Sequence, residues 1–265
     1  FVKEKTAMIL ATWNINGIRA RLGYILDWLE TRQPDIVGLQ ELKAEEVNFP
    51  YESFANSGYH AIIHGQKAWN GVAVLSKEPG EVLQAGLPGT SPSGSRMLAV
   101  DTGGINFLSL YCPNGKSIEH PDFQSKLNWF DQLAAFLEFG DRIDKDRTVI
   151  VGDFNICPEP IDSWNEELLA GTIFHTGEER QRLERIMRIG FKDLYRQQNP
   201  DTRMFSWWDY RGGAFYKNQG LRIDLLLASE PIASRVTEVY TDRDFRKKRE
   251  GLTPSDHAPV IAVLE

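Results

Sequence analysis

The stretch Val149-Ile150-Val151-Gly152-Asp153-Phe154-Asn155 decides how this chain is read. A short β-branched run ending abruptly in Asp-x-Asn predicts a buried strand that delivers two polar side chains to a sheet edge. Residues two apart on extended backbone point the same way, so Asp153 and Asn155 are expected to face one cleft. A carboxylate there can bind a cation or take a proton from water. A carboxamide can hold an oxyanion without adding negative charge. An isolated Asp-x-Asn is more often an Asx turn after a strand, so the weight rests on what accompanies it.

The same pattern recurs along the chain. The apolar run Met8 to Trp13 leads into Asn14-Ile15-Asn16-Gly17, and Ile36 to Gln40 leads into Glu41-Leu42-Lys43. Ile105 to Tyr111 leads into Cys112-Pro113-Asn114-Gly115. Arg222-Ile223-Asp224 opens another run, and Ser255-Asp256-His257-Ala258-Pro259 precedes the last. Taken singly, each has an ordinary explanation: turn formers, an exposed Glu41/Lys43 pair, a core phenol, a hydrogen-bonded loop. Together they bring carboxylates, carboxamides, a phenol and a histidine to strand ends, which suits metal-assisted hydrolysis of a phosphate ester. Glu41 is a hard oxygen ligand for a divalent cation such as magnesium. With Asp153 and Asp256 near it, the set is strongly negative without a metal. His257 can donate to a phosphate oxygen or shuttle a proton, and Asp224 is suited to fix its tautomer. Asn14, Asn155 and Tyr111 are neutral donors that hold a phosphate without opposing the metal.

Composition bounds the function from the other side. The 265 residues are 42% hydrophobic and 25% charged, enough for a sizeable core. The formal net charge of -7 argues against nucleic-acid binding by bulk cationic charge. It does not exclude a nuclease, whose carboxylates gather at the metal. Two basic regions remain, Arg180/Arg182/Arg185/Arg188 and Arg243/Arg246/Lys247/Lys248/Arg249. Each is equally a phosphate-contact candidate or a solvated face. No apolar run is long enough to span a membrane, and no signal-peptide core stands at the N-terminus. Cys112 and Cys157 form no disulfide framework and no zinc spacing. A cytoplasmic setting is expected, nucleoid-associated in a prokaryote.

Further strand-like runs are His60 to His64, Val72 to Ser76, Met97 to Asp101, Met204 to Trp207 and Val236 to Tyr240. Helical stripes appear at Leu22/Ile25/Leu26/Leu29 and Phe123/Leu127/Phe130/Leu133/Leu137. A third opens at the capping box Thr176-Gly177-Glu178-Glu179. Many strands with few helices and no linker predict one α/β domain over residues 1–265. A hairpin across Asn70-Gly71 predicts a mixed or antiparallel sheet. No G-x-G-x-x-G follows the first strand, so no nucleotide cofactor is expected.

On these segments, together with Trp208-Asp209-Tyr210-Arg211 and Gly220-Leu221-Arg222-Ile223-Asp224, the chain resembles the exonuclease III family of DNA-repair nucleases. That family lies within the endonuclease/exonuclease/phosphatase superfamily. The resemblance runs from end to end and in order. It implies a four-layer α/β sandwich of the deoxyribonuclease I type, with two mixed sheets face to face and helices outside. It implies divalent-metal-dependent phosphodiester hydrolysis in base excision repair, with magnesium as the metal and manganese able to substitute. Glu41 then looks like the principal metal ligand, with Asn16 and Asp256 beside it. Asp153 looks like the residue that aligns or deprotonates water. Asn14, Tyr111, Asn155 and His257 look like phosphate binders, with Asp224 orienting His257. Whether Asp153 or the His257–Asp224 pair is the base stays open.

The resemblance also implies an apolar slot for a sugar without its base, at Trp207, Leu221 and Ile223, although all three read equally well as core. Arg211 is a candidate to enter a DNA groove. Three positions depart from the family pattern. Leu42 replaces a threonine. Phe174-His175-Thr176-Gly177 replaces a Phe-x-Pro segment, which makes His175 a candidate phosphate contact or slot wall. Ser117 follows Lys116 where some relatives place a groove-inserting arginine, leaving Lys116 as the weaker substitute. The expected partner is damaged double-stranded DNA, bound by a monomer, with no membrane involved. The alternatives are a 3′–5′ exonuclease specialist, a superfamily hydrolase acting on a phosphoinositide, sphingolipid or RNA, and a non-catalytic binding module.

Overall fold

A computed structural model describes residues 7–249 and 251–265. The run that opened the sequence reading is strand β8 (Thr148–Asp153), buried along its whole length. Side chains alternate across a strand. Accordingly Val149 and Val151 enter one core while Ile150 enters another. A strand with apolar neighbours on both faces belongs in the middle of a layered structure, and β8 lies there. Its sheet has the order β5-β6-β7-β8-β10-β9, formed by β5 (Glu81–Ala85), β6 (Met97–Thr102), β7 (Ile105–Tyr111), β9 (Phe191–Asp193) and β10 (Asp224–Ser229). The facing sheet has the order β11-β12-β1-β2-β4-β3. Its strands are β1 (Met8–Asn14), β2 (Ile36–Gln40), β3 (His60–His64), β4 (Val72–Ser76), β11 (Val236–Thr241) and β12 (Val260–Leu264). In each sheet one pair is parallel, β1/β2 and β7/β8, and the other pairs are antiparallel.

Leu10, Ile36, Val74, Phe107, Val151 and Val260 pack between the sheets. Helix α1 (Ile18–Arg32) covers the outer face of the first sheet with Ile25, Trp28 and Leu29. After the short helix α2 (Tyr51–Asn56), helix α3 (Pro121–Phe139) covers the second sheet with Phe130, Leu133 and Leu137. Past the one-turn helix α4 (Glu166–Leu169), helix α5 (Gly177–Arg188) adds Leu183 and Ile186 to that layer. The Thr176/Glu179 capping box forms as its spacing predicts. This is the four-layer sandwich with two mixed sheets.

The sequence reading needs four corrections. Met204 to Trp207 is not a strand; Trp207 makes only isolated bridges to Leu221 and His257. Two edge strands went unread. Strand β5 is mostly exposed, with no clean alternation, and β9 is only three residues long. The hairpin β3/β4 is real, but His64 pairs with Val72, so its connection is the whole segment 65–71 rather than a two-residue turn. The arginines of α5 are bound to acids: Arg180 to Glu166, Arg182 to Asp131, Arg185 to Asp131 and Glu138, and Arg188 to Glu184. That row is an ion-paired helix face, not a phosphate grip.

Two glycines set how closely backbone can approach. At Gly38 in β2, an added Cβ would lie 2.7 Å from Val151 and 2.8 Å from Ser109 of the opposite sheet. At Gly152 φ is +150° and an added Cβ would lie 1.9 Å from the Leu110 carbonyl oxygen. That collision is with backbone and cannot be relieved by a rotamer. Gly152→Ala is therefore expected to break the β7/β8 pairing just before Asp153, at a cost above about 3 kcal/mol. Urea denaturation would check this, and a midpoint within error of the parent protein would refute it.

Candidate active site

Strand polarity brings the polar ends together. Asn14 ends β1 and pairs in register with Gln40 at the end of β2, so Glu41 follows directly. Tyr111 ends β7 opposite Asp153, which ends β8. Asp224 starts β10, but β10 runs antiparallel to β8, so Asp224 also lies opposite Asp153. Asp256 and His257 immediately precede β12, which is antiparallel to β1. All of them therefore meet at one end of the sandwich.

Toward this end the layer between the sheets turns polar by steps. Thr12 donates to Gln40 Oε1 at 3.2 Å, and Gln40 Nε2 crosses to Ser109 of the other sheet at 3.1 Å. Beyond them, the Asn14 amide donates to Glu41 at 3.0 Å and to Asp153 at 2.9 Å. It thereby joins a carboxylate of each sheet. Asp153 also accepts the Asn155 backbone N–H at 2.9 Å. The Asx turn and the functional placement are thus both present. The Asn155 amide donates to the Cys112 carbonyl at 3.0 Å.

Asp153 and Asp224 lie side by side, and His257 is set against both. His257 Nδ1 is 2.8 Å from Asp224 Oδ2, and Nε2 is 3.8 Å from Asp153 Oδ2. Burial alone would lower the histidine, but Asp224, Asp153 and Asp256 outweigh it and raise it to about 10. Burial pushes Asp153 up to about 7; the adjacent Asp224 adds to this, while His257 and the Asn14 hydrogen bond oppose it. Tyr111 is held well above the ordinary phenol value by burial, Glu41 and Asp153, so it stays a donor. The Arg96 guanidinium lies 4.9 Å over its ring.

Glu41, Asn16 and Asp256 form a connected set, though not a tight cluster. Lys43 Nζ lies 2.9 Å from Glu41 Oε2 and 2.6 Å from Asn16 Oδ1. Burial would raise Glu41, but hydrogen bonds from Lys43 and Asn14 hold it below the usual carboxyl value. The bland reading of an exposed Glu41/Lys43 pair therefore captures the contact but not its surroundings. Two hard oxygens already converge on one ammonium, and they are donors of the kind a divalent cation takes. Both Asp256 oxygens are engaged, one by the Asn16 amide at 2.9 Å and one by the Trp207 indole at 3.0 Å. Asp256 therefore orients Asn16 here. Among the described residues, the acidic and histidine groups whose ligand atoms lie within 4.8 Å of one another are Asp153, Asp224 and His257.

Trp207, Leu221 and Ile223 do come together, beside buried Cys157, with Trp164, Leu169 and Phe174 closing the cluster. Trp207 stands next to the histidine, their ring centroids 6.5 Å apart. The other proposed DNA contacts separate. Arg211 is on the surface, its side chain 90% exposed and folded onto Asp209 at 2.8 Å. Lys116 is exposed and paired with Asp122 at 2.7 Å. His175 does not stand on the surface with them. It is buried, with Nε2 3.1 Å from Ser163 Oγ and Nδ1 3.1 Å from the Ile173 carbonyl. Its neighbour Phe174 is the residue that packs against the Trp207/Leu221/Ile223 cluster.

One participant was not anticipated. Lys126 of α3 is fully buried, and Nζ donates to the Asn155 carbonyl at 2.6 Å and to Glu179 at 2.5 Å. Its sequence signal was a lysine inside an otherwise apolar helix stripe.

Residues 11–257 match the Endonuclease/Exonuclease/phosphatase family. The chain belongs to this family. Exodeoxyribonuclease III of Haemophilus influenzae is 35% identical to it over 269 residues, covering 96% of this chain and 99% of its own. A Bacillus subtilis exodeoxyribonuclease is 29% identical, covering 97% and 99%. Two solved structures superpose with a TM-score of 0.92 at 34% identity, each covering 97% of this chain and 99% of its own. One is a Neisseria 3′ phosphatase bound to a product DNA hairpin, and the other is an AP endonuclease from Archaeoglobus fulgidus. The family's members are divalent-metal-dependent hydrolases.

The Asp153 environment has a cost that can be measured. Its folded value lies above the ordinary carboxyl value of about 4. The stability it contributes is therefore full below about pH 4 and is lost as pH rises through about 7. Asp153→Asn removes the buried charge and is expected to melt a few degrees higher than the parent at pH 8, with a smaller gain at pH 5. Melting curves at the two pH values decide; an equal or lower melting temperature at pH 8 would overturn the desolvation argument.

Proposed function

We propose that this protein is a DNA-repair phosphodiesterase that uses magnesium to cleave 5′ to abasic sites and to trim damaged 3′ ends. The observation that carries this reading is Asp153. It is fixed by Asn14, Asn155 and His257 at one end of the sandwich, beside the Trp207/Leu221/Ile223 slot. Asn14, Tyr111 and Asn155 are donors for the phosphate oxygens. Asp153 takes a proton from the attacking water as the water oxygen bonds to phosphorus. The bond to the 3′-oxygen breaks in line, and that oxygen takes up a proton. His257 is held charged by Asp224 and steadies the negative charge that builds on the phosphoryl oxygens. Glu41 and Asn16 would hold the magnesium ion, which when bound offsets charge on the phosphate and the leaving oxygen. The slot admits a sugar lacking its base, or a frayed terminal nucleotide, because such groups leave the duplex at low cost.

Two labelled duplexes test this, one with an internal abasic site and one with a recessed 3′ end, each with magnesium or with EDTA. Cleavage 5′ to the abasic site, or 3′ trimming, abolished by EDTA, is the expected result. Which substrate dominates sets the balance of the two activities. Loss of neither substrate would favour a non-DNA substrate. In the same assay Asp153→Asn and His257→Ala are expected to lose roughly a thousandfold or more in kcat with unchanged circular dichroism. Activity near the parent level in either variant would remove that residue from the mechanism.

A further inference from the structure

The segment 65–71 joins β3 to β4, and its tip residue Trp69 is 70% exposed. The segment is tightly built. Gln66 N–H donates to the Ala44 carbonyl at 3.0 Å, and Gln66 Oε1 accepts from the Asn70 amide and from Ser95 N–H, each at 3.0 Å. Ser95 Oγ donates to the Gly65 carbonyl at 2.8 Å, and Gly71 N–H donates to the Ser95 carbonyl at 2.9 Å. Trp69 sits between Ala68 at φ 63° and Asn70 at φ 51°. A left-handed alanine costs about 1 kcal/mol or more and persists only where its surroundings hold it. The loop thus spends hydrogen bonds and backbone strain to keep a large apolar ring in water.

Its position gives the ring a use. Lys43 N–H donates to the Asn70 carbonyl at 2.9 Å, and Leu42 N–H to the Gly71 carbonyl at 3.1 Å. The backbone that aims Glu41 therefore also carries Trp69. The exposed neighbours Lys67 and Ala68 and the half-buried Asn70 add no apolar patch around the ring. A protein or membrane partner needs contiguous apolar area. A nucleobase needs only one π-face, and a lysine beside it suits the backbone phosphate.

We propose that Trp69 is a stacking platform for an unpaired base of the DNA strand held at this site. The inference rests on the DNA phosphodiesterase reading above. Within a paired duplex both faces of each base are covered by its neighbours, so the platform acts on frayed, mismatched or extrahelical bases and selects for them.

The test compares the parent with Trp69→Ala, Trp69→Phe and Trp69→Leu, each also carrying Asp153→Asn so that DNA stays intact. Binding with magnesium is followed by fluorescence anisotropy. One labelled duplex has a fully paired recessed 3′ end, and the other has two mismatched nucleotides at that end. Trp69→Ala is expected to weaken binding of the mismatched end roughly tenfold while changing the paired end less than about twofold. Trp69→Phe should restore most of the difference, and Trp69→Leu should not. Unchanged binding of the mismatched end, or equal weakening on both duplexes, would overturn the proposal. If the parent binds neither duplex, the DNA reading fails and this inference fails with it.

Discussion

The amide of Asn14 is the point on which the site depends. It is buried where the two sheets meet, and its nitrogen donates to Glu41 and Asp153 together. Those carboxylates come from different sheets, and like charges brought together out of water repel strongly. A neutral donor between them lowers the cost without cancelling the negative field that attracts a cation. A lysine in its place would neutralise the field, and an aspartate would worsen the repulsion. One step away a cation takes the place of a neutral donor: His257, its proton affinity raised by its acidic neighbours, is set against the two adjacent carboxylates Asp153 and Asp224. Asp224 Oδ1 still lacks a partner. Burial first, and then the adjacent Asp224, keep the proton affinity of Asp153 elevated against the opposing effects of His257 and Asn14.

Sheet geometry makes this possible without loops reaching across a gap. A sheet face tolerates polar groups only where each finds a partner. Between the sheets the sequence moves from Val151 and Phe107, through Thr12, Gln40 and Ser109, to Asn14 and Asp153. The change from apolar to hydroxyl and amide to carboxylate spreads the desolvation over several residues. Gly38 supports it by letting Val151 and Ser109 approach the opposite backbone.

This layout explains what was legible in the sequence. Buried central strands read as apolar runs, and their functional ends read as polar residues immediately after, so β1, β2, β7, β8, β10 and β12 and the residues at their tips were visible. Of the edge strands, β3 and β11 were also visible, but β5 and β9 were not. Glu81 to Ala85 is held by one neighbour and is exposed on much of its length, so it carries no periodic mark. Charge was equally hard to assign. Whether Arg180, Arg182, Arg185 and Arg188 meet phosphate or their own acids depends on residues far away in sequence, such as Asp131, 51 positions before Arg182. The burial of His175 was equally hidden: one ring nitrogen meets the local Ile173 carbonyl, but the other meets Ser163, which no local pattern announces. The grouping of Trp207, Leu221 and Ile223 was visible, but not the full cluster, since Trp164, Leu169 and Phe174 come from a separate segment.

Lys126 connects these parts. A buried ammonium is costly unless paired, and removing one partner of a buried pair costs more than the pair contributes. Here the ammonium has three protein acceptors: Glu179 and the carbonyls of Asn155 and Asn114. Burial depresses its proton affinity, and Glu179 opposes that shift. Glu179 in turn accepts from the Phe174 and Thr176 backbone N–H groups, both at 3.1 Å. Phe174 turns its ring toward the same ammonium at 4.8 Å and also faces the slot. The backbone that carries Asn155 and the backbone that carries Phe174 of the Trp207/Leu221/Ile223 cluster are therefore fastened to one ion pair. Their relative position is fixed before any DNA arrives. Because Lys126 sits on α3 and Glu179 on α5, their ion pair resists the shift between those helices that would part Asn155 from Phe174.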